Sequence, residues 1–228
     1  MKNNYLLASR DNSWSDALNE KLNSIKNCNF DRVRTKRELK EYLQINDPQK
    51  IFFFHWSNIV AASVFDKYEC IVFHTANLPE FRGGSPIQNQ IVKNVTSSHV
   101  NALKMTAEVD GGPIYCSEPL TLQGTLYDVW HAISTITFSL IEKVINHPAL
   151  KPVEQKKGGM VYNRLKNNSV PFEVNELNTI YRFIQMLDAD EYPNASLNIG
   201  NFVLYFTRAK RNKDNILCDV KISRVENE

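Results

Sequence analysis

A histidine at position 74 ends the run Cys70-Ile71-Val72-Phe73 and opens a loop, Thr75 to Gly84, that leads to Ser85-Pro86. An imidazole titrates near neutrality, so it can take up a proton or donate to an oxygen on which negative charge develops. Asp110 lies 36 positions later and is followed by Gly111, Gly112 and Pro113. A carboxylate brought beside that ring would favour its charged form, fix its orientation and help order a water for proton relay. Most single histidines are satisfied core or loop residues, and most Asp-Gly pairs are plain turns. The surroundings decide between these readings.

Ile71, Val72 and Phe73 have the composition of a strand covered on both faces. A histidine leaving the carboxyl end of such a strand sits where open α/β sheets hold their ligands. Ser85 before Pro86 predicts a helix N-terminus, with a hydroxyl N-cap and proline at N1. Two glycines and a proline after Asp110 predict a tight turn that brings backbone close to something.

Other segments must carry these residues. Residues 5–8 read as a central strand and 14–25 as a helix, with 29–35 a short connection or edge strand and 36–43 a second helix. Ile51-Phe52-Phe53-Phe54 reads as a buried strand that ends in the loop His55 to Val60. Residues 100–106 form a further strand, and Thr125 caps a long helix that reaches about residue 146. The alternation predicts an α/β fold, a Rossmann-like, mostly parallel sheet with helices on both faces, over residues 1–152. After Pro152 the pattern changes, which predicts a small C-terminal α/β subdomain over 153–228. There Lys156 to Gly159 is linker-like, 160–164 an edge strand, Asn175 a helix cap, and 195–206 and 216–222 a hairpin.

With 228 residues, 43% apolar, 23% charged and a net charge of +2, the chain has the balance of a soluble globular protein. Such a charge gives no field for nucleic acid or an anionic membrane. No signal peptide or membrane-spanning run is visible. The four scattered cysteines suit reduced thiols in a cytoplasmic protein rather than zinc or disulfides.

Taken together, His74, Leu78-Pro79, Arg82-Gly83-Gly84-Ser85-Pro86-Ile87-Gln88 and Asp110-Gly111-Gly112 resemble the formyltransferases that use N10-formyltetrahydrofolate. The pattern of that family is Asn-x-His-x(3)-Leu-Pro, Arg-Gly-x-x-Pro and a later Asp-x-Gly. The resemblance covers residues 50–150 well and the rest loosely. It implies a formyl group passing to a neutral amine through an oxyanionic tetrahedral intermediate, with no metal and no covalent nucleophile. His74 is the implied general base or oxyanion stabiliser, oriented by Asp110. The implied folate site comprises His55, Trp56, Ser57, Ile59, Leu78, Arg82, Gly83, Met105 and Asp110. The family's oxyanion-donating asparagine falls on Val72, which cannot donate, so Asn101 or His55 is expected to supply that hydrogen bond. Asn77 and Ser57 are further candidates.

Within the family, the chain looks more like the sugar N-formyltransferases, which act on nucleotide-linked amino sugars for bacterial surface polysaccharides. The His55-Trp56-Ser57 loop and the tail Ile184 to Ala189 resemble a branch associated with pseudaminic-acid-type precursors. The implied acceptor is a nucleotide-linked 4-amino-4,6-dideoxysugar. Arg10, Asn12 and Trp14, after the first strand, are candidates to touch it; the competing reading makes Arg10 solvated and Trp14 core. A larger tRNA-binding C-terminal domain is expected to be missing, and no nucleic-acid partner is expected. Relatives of this kind are often homodimers. The alternatives are another amine, including methionyl-tRNA, or a folate-binding protein impaired in catalysis by Val72.

Overall fold

The computed structural model describes residues 3–165 and 175–225. Its elements run β1 (Asn3–Ser9), α1 (Ser13–Asn23), β2 (Cys28–Val33), α2 (Lys36–Ile45), β3 (Lys50–Phe54), α3 (Ala62–Phe65), β4 (Glu69–Thr75), β5 (Arg82–Gly83) and α4 (Pro86–Val92). They continue with β6 (Ser97–Lys104), β7 (Ile114–Thr121), α5 (Leu126–Asn146), β8 (Val161–Tyr162), α6 (Leu177–Gln185), β9 (Ala195–Ile199), β10 (Phe202–Arg211) and β11 (Ile216–Arg224).

The main sheet has the order β2-β1-β3-β4-β6-β7. The β2-β1-β3-β4 block is parallel, whereas β6 and β7 are antiparallel to their neighbours. Alternation along β1 shows why both faces must be covered. Tyr5 and Leu7 enter one core with α1, α4, α5 and α6, while Leu6 and Ala8 enter another with Leu39 of α2. The fold is therefore the expected mixed α/β sheet, mostly parallel and flanked by helices. Strand order reverses at β1, whose carboxyl end lies beside that of β3. Arg10 and His55 leave the sheet there, at the crevice where this architecture receives ligands.

Four local expectations need correcting, the first being Asn175: Glu176 stands at the N-cap of α6, with no side-chain capping bond. Ser85 does not cap α4 through its hydroxyl: its backbone is left-handed at φ 48°, and its Oγ accepts from the Leu165 N–H at 3.3 Å. The expected 195–206 strand is two strands, folded at Gly200-Asn201 so that Ile199 pairs with Phe202. Gly200 takes φ 54°, as a two-residue hairpin requires. Residues 114–121, unassigned in the sequence, form the edge strand β7, where Pro119 is tolerated because one side of an edge needs no donor. By contrast, Thr125 caps α5 as expected, in a reciprocal capping box with Asp128.

The stretch after Pro152 stays on the first body. Val153 bridges Ile114, and β8 pairs with β5. Ile184, Met186, Leu187 and Ala195 lie in the same core as α1 and α5. Among the described residues no helix is long and apolar enough to cross a membrane. The four cysteines are free thiols, and burial pushes that of Cys70 up to about 12.

Candidate active site

Two cavities open along the carboxyl edge of the sheet and meet. The larger, 490 Å³, lies over the apolar sheet face of Phe53, Val72 and Leu103, between the 56–60 loop and the 104–112 turn. The smaller, 340 Å³, is bounded by His55, His74, Gln88, Trp130, Glu191 and Tyr192. Asp110, Val72, Gly83, Gly84, Trp56, Ser57 and Arg164 line both.

His74 and Asp110 come together at that junction. The His74 Nδ1 lies 3.3 Å from the Asp110 Oδ2, with the imidazole side chain 5% and the carboxylate 14% exposed. On the other side of the ring, Nε2 lies 2.9 Å from the Phe81 carbonyl. A carbonyl only accepts, so Nε2 carries a proton. Nδ1 is then the ring nitrogen that faces the Asp110 carboxylate. Asp110 is also held by the Gly83 N–H, which donates to Oδ2 at 3.0 Å. Phe81, Ser85, Asp110 and His55 all hold positive φ, a conformation that non-glycine residues keep only where the surroundings impose it.

The turn that carries Asp110 is braced from a distance. Gln155 donates through Nε2 to the carbonyls of Asp110 and Gly112, both at 2.8 Å. Arg82 grips the Gln155 Oε1 through Nε and Nη2, and reaches Glu108 on the same turn through Nη1 at 2.8 Å. Nothing marked Gln155 in the sequence, because it sits beside a linker-like Lys-Lys-Gly-Gly run.

Several expected binding residues therefore do other work. The Arg82 guanidinium is engaged in this brace and lines neither cavity. Leu78 lines neither cavity. Trp56, Ser57, Ile59, Gly83, Met105 and Asp110 do line the larger one, and His55 the smaller. Asn101 pairs with His74 across β4 and β6, yet its amide nitrogen donates to the carbonyls of His74 and Ala76, and its oxygen accepts from Ser117. With its protons spent on backbone, Asn101 positions the strand and cannot serve an oxyanion.

Arg10 lines the smaller cavity, but Asn12 and Trp14 stand behind it. Asn12 caps α1, and Trp14 is fully buried. Both hold His55: the Trp14 indole and the Asn12 amide donate to Nδ1, each at 3.1 Å. An indole cannot accept, so the His55 proton sits on Nε2, 3.5 Å from the Tyr192 hydroxyl. Burial first, then Arg10 and Arg164, lower the His55 pKa from 6.5 to about 3. His55 is thus a neutral donor at physiological pH, not a base.

A stability prediction follows. Below pH 6.5 the unfolded imidazole binds a proton that the native one refuses until about pH 3. Stability is therefore intact above pH 6.5 and falls with pH across that window, by up to ~1.4 kcal/mol per pH unit for one site. Urea unfolding from pH 7 to 4 should show this slope, and His55→Gln should flatten it.

No group of three or more His, Cys, Asp or Glu among the described residues is placed to hold a metal ion.

Residues 166–223 match the family described as methionyl-tRNA formyltransferase, C-terminal domain. A solved structure of methionyl-tRNA formyltransferase from Clostridium thermocellum is 30% identical, with 97% of this chain and 99% of that one covered at a TM-score of 0.90. Methionyl-tRNA formyltransferase from Anaplasma phagocytophilum is 23% identical over 153 residues, 59% of this chain and 51% of that protein. The chain spans about half the length of the curated relatives it matches. A sugar N-formyltransferase from Shewanella sp FDAARGOS_354, 13% identical, shares the fold at a TM-score of 0.70 over 92% of this chain and 99% of that one.

Proposed function

Because the chain belongs to the formyltransferase family, we propose that it moves a formyl group from N10-formyltetrahydrofolate to a primary amine, that of a nucleotide-linked 4-amino-4,6-dideoxysugar. The observation that carries the reading is the His74–Asp110 pair at the junction of the two cavities. The larger cavity, with an apolar floor and a wall of turn backbone, suits a pterin. The smaller one suits the acceptor, with Arg10 and Arg164 on its wall available to phosphate oxygens.

In this reading the amine nitrogen attacks the formyl carbon beside Asp110. Its proton passes to the His74–Asp110 pair, whose charge rises by one next to the new oxyanion. His55 contributes the neutral Nε2–H that Val72 cannot. The intermediate collapses as the bond to N10 breaks, and N10 receives the proton. Holding both reactants in one geometry lowers the barrier further.

A second reading keeps the chemistry and takes the methionyl end of a tRNA as acceptor. It is favoured by the Clostridium thermocellum likeness and by the C-terminal family match. Incubation of the chain with N10-formyltetrahydrofolate and a panel of amino sugar nucleotides, with methionyl-tRNA alongside, tests both readings. Formylation of a sugar nucleotide supports the first, and of methionyl-tRNA the second. Transfer to neither sinks both.

A further inference from the structure

The smaller cavity contains polar atoms that the protein leaves unmatched. Oε2 of Glu191 is buried and has no hydrogen-bond partner among the described residues. The His55 Nδ1 lies 3.9 Å from it and carries no proton, because it accepts from Trp14 and Asn12. Across the same cavity, the Nε2 of Gln88 and the Nε1 of Trp130 are buried donors that complete no hydrogen bond of good geometry within the protein. Both side chains face the hydroxyl of Tyr192, whose pKa burial raises and these two donors draw back. A buried carboxylate oxygen without a donor costs the fold stability, as does a buried amide without an acceptor.

The segment that presents Glu191 is rigid. Met186, Leu187 and Ala189 lie in the core, and Asp188 accepts from the Arg208 backbone at 2.8 Å. The Tyr192 N–H closes on the Ala189 carbonyl at 3.0 Å. The unmatched atoms therefore hold a fixed geometry within the same cavity as His74 and Asp110.

We infer that Glu191 and Gln88 read the acceptor: Glu191 accepts from a hydroxyl on its ring, and Gln88 donates to a neighbouring ring oxygen. An acceptor facing donors across one cavity suits a hydroxylated amino sugar. A methionyl side chain offers these two groups a thioether and no hydroxyl. Sites built to hydrogen-bond a substrate reject analogues that lack the group far more strongly than apolar sites reject an extra methylene. The inference rests on the formyl-transfer reading for the role of the site, though not for the binding it asserts.

The test compares wild type with Glu191→Gln, which keeps shape and removes charge. Calorimetric titration uses dTDP- and UDP-linked 4-amino-4,6-dideoxyglucose with tetrahydrofolate present, and steady-state rates use N10-formyltetrahydrofolate. The expected result is a sugar-nucleotide Kd and KM raised about tenfold or more, with kcat within about threefold. Tetrahydrofolate affinity should stay unchanged, and the melting temperature of the unliganded variant should not fall. Unchanged sugar-nucleotide affinity in the variant overturns the inference. So does a wild type that binds tetrahydrofolate but neither sugar nucleotide, or a variant that loses folate binding and melts earlier. A wild type that binds sugar nucleotide and tetrahydrofolate without transferring formyl overturns the catalytic reading alone.

Discussion

Asp110→Asn is expected to lower kcat for formyl transfer about 10²- to 10⁴-fold, the range over which a positioned proton acceptor acts. The fold should survive, because an asparagine oxygen still accepts from the Gly83 N–H that now donates to Oδ2 at 3.0 Å. The proton released by the amine would have no carboxylate to go to, since an amide cannot take it up. KM for the folate should move little, because the cavity keeps its shape. Adding His74→Ala should cost far less than it does alone, because groups that act as one unit are not additive. Single-turnover rates for the two variants and their combination decide the matter. An Asp110→Asn rate within tenfold of wild type would remove the pair from the chemistry.

The second large effect is expected at Gly112. A Cβ there would sit 1.9 Å from the carbonyl oxygen of Lys104, and backbone at the end of β6 cannot yield as a side-chain tip can. The Lys104 N–H also donates to the Pro113 carbonyl at 2.8 Å, which fixes the distance between the two segments. Gly112→Ala should therefore destabilise the protein by about 2–4 kcal/mol, within the range for severe steric substitutions. It should also displace Asp110, which shares with Gly112 the amide of Gln155. Gly158→Ala is the control: no atom lies within 4 Å of its would-be Cβ, and only its φ of 101° opposes the change. That variant should lose about 1 kcal/mol and keep its activity. Urea denaturation of the two alanine variants checks the contrast; equal stabilities would refute it.

The central strands β1, β3 and β4 are legible because burial on both faces writes itself as an unbroken apolar run, as in Ile51–Phe54. The histidine and the aspartate were legible as a spaced motif, although only the fold brings them within 3.3 Å. The side chains around them were not. Asn101 was correctly placed beside His74, but the direction of its amide is set by Ser117 on β7, a strand the sequence reading did not contain. Gln155 and Glu191 looked like solvated polar residues, and their partners lie far away along the chain. Ser85 obeyed the local rule for a helix start until the 163–165 segment drew its hydroxyl away. The Gly200-Asn201 turn, by contrast, carries a readable hairpin signal inside the 195–206 run.

The strap formed by residues 153–162 has a consequence for how this protein could be taken apart. It looks like a connector, yet it reaches the reactive turn through Gln155 and runs beside Arg82-Gly83 as β8. A fragment ending at Pro152 would keep His74 and Asp110 but lose the splint that sets the angle between them. Grafting the tail of one relative onto the head of another would then change turnover as well as partner choice, unless the graft point lies beyond Tyr162.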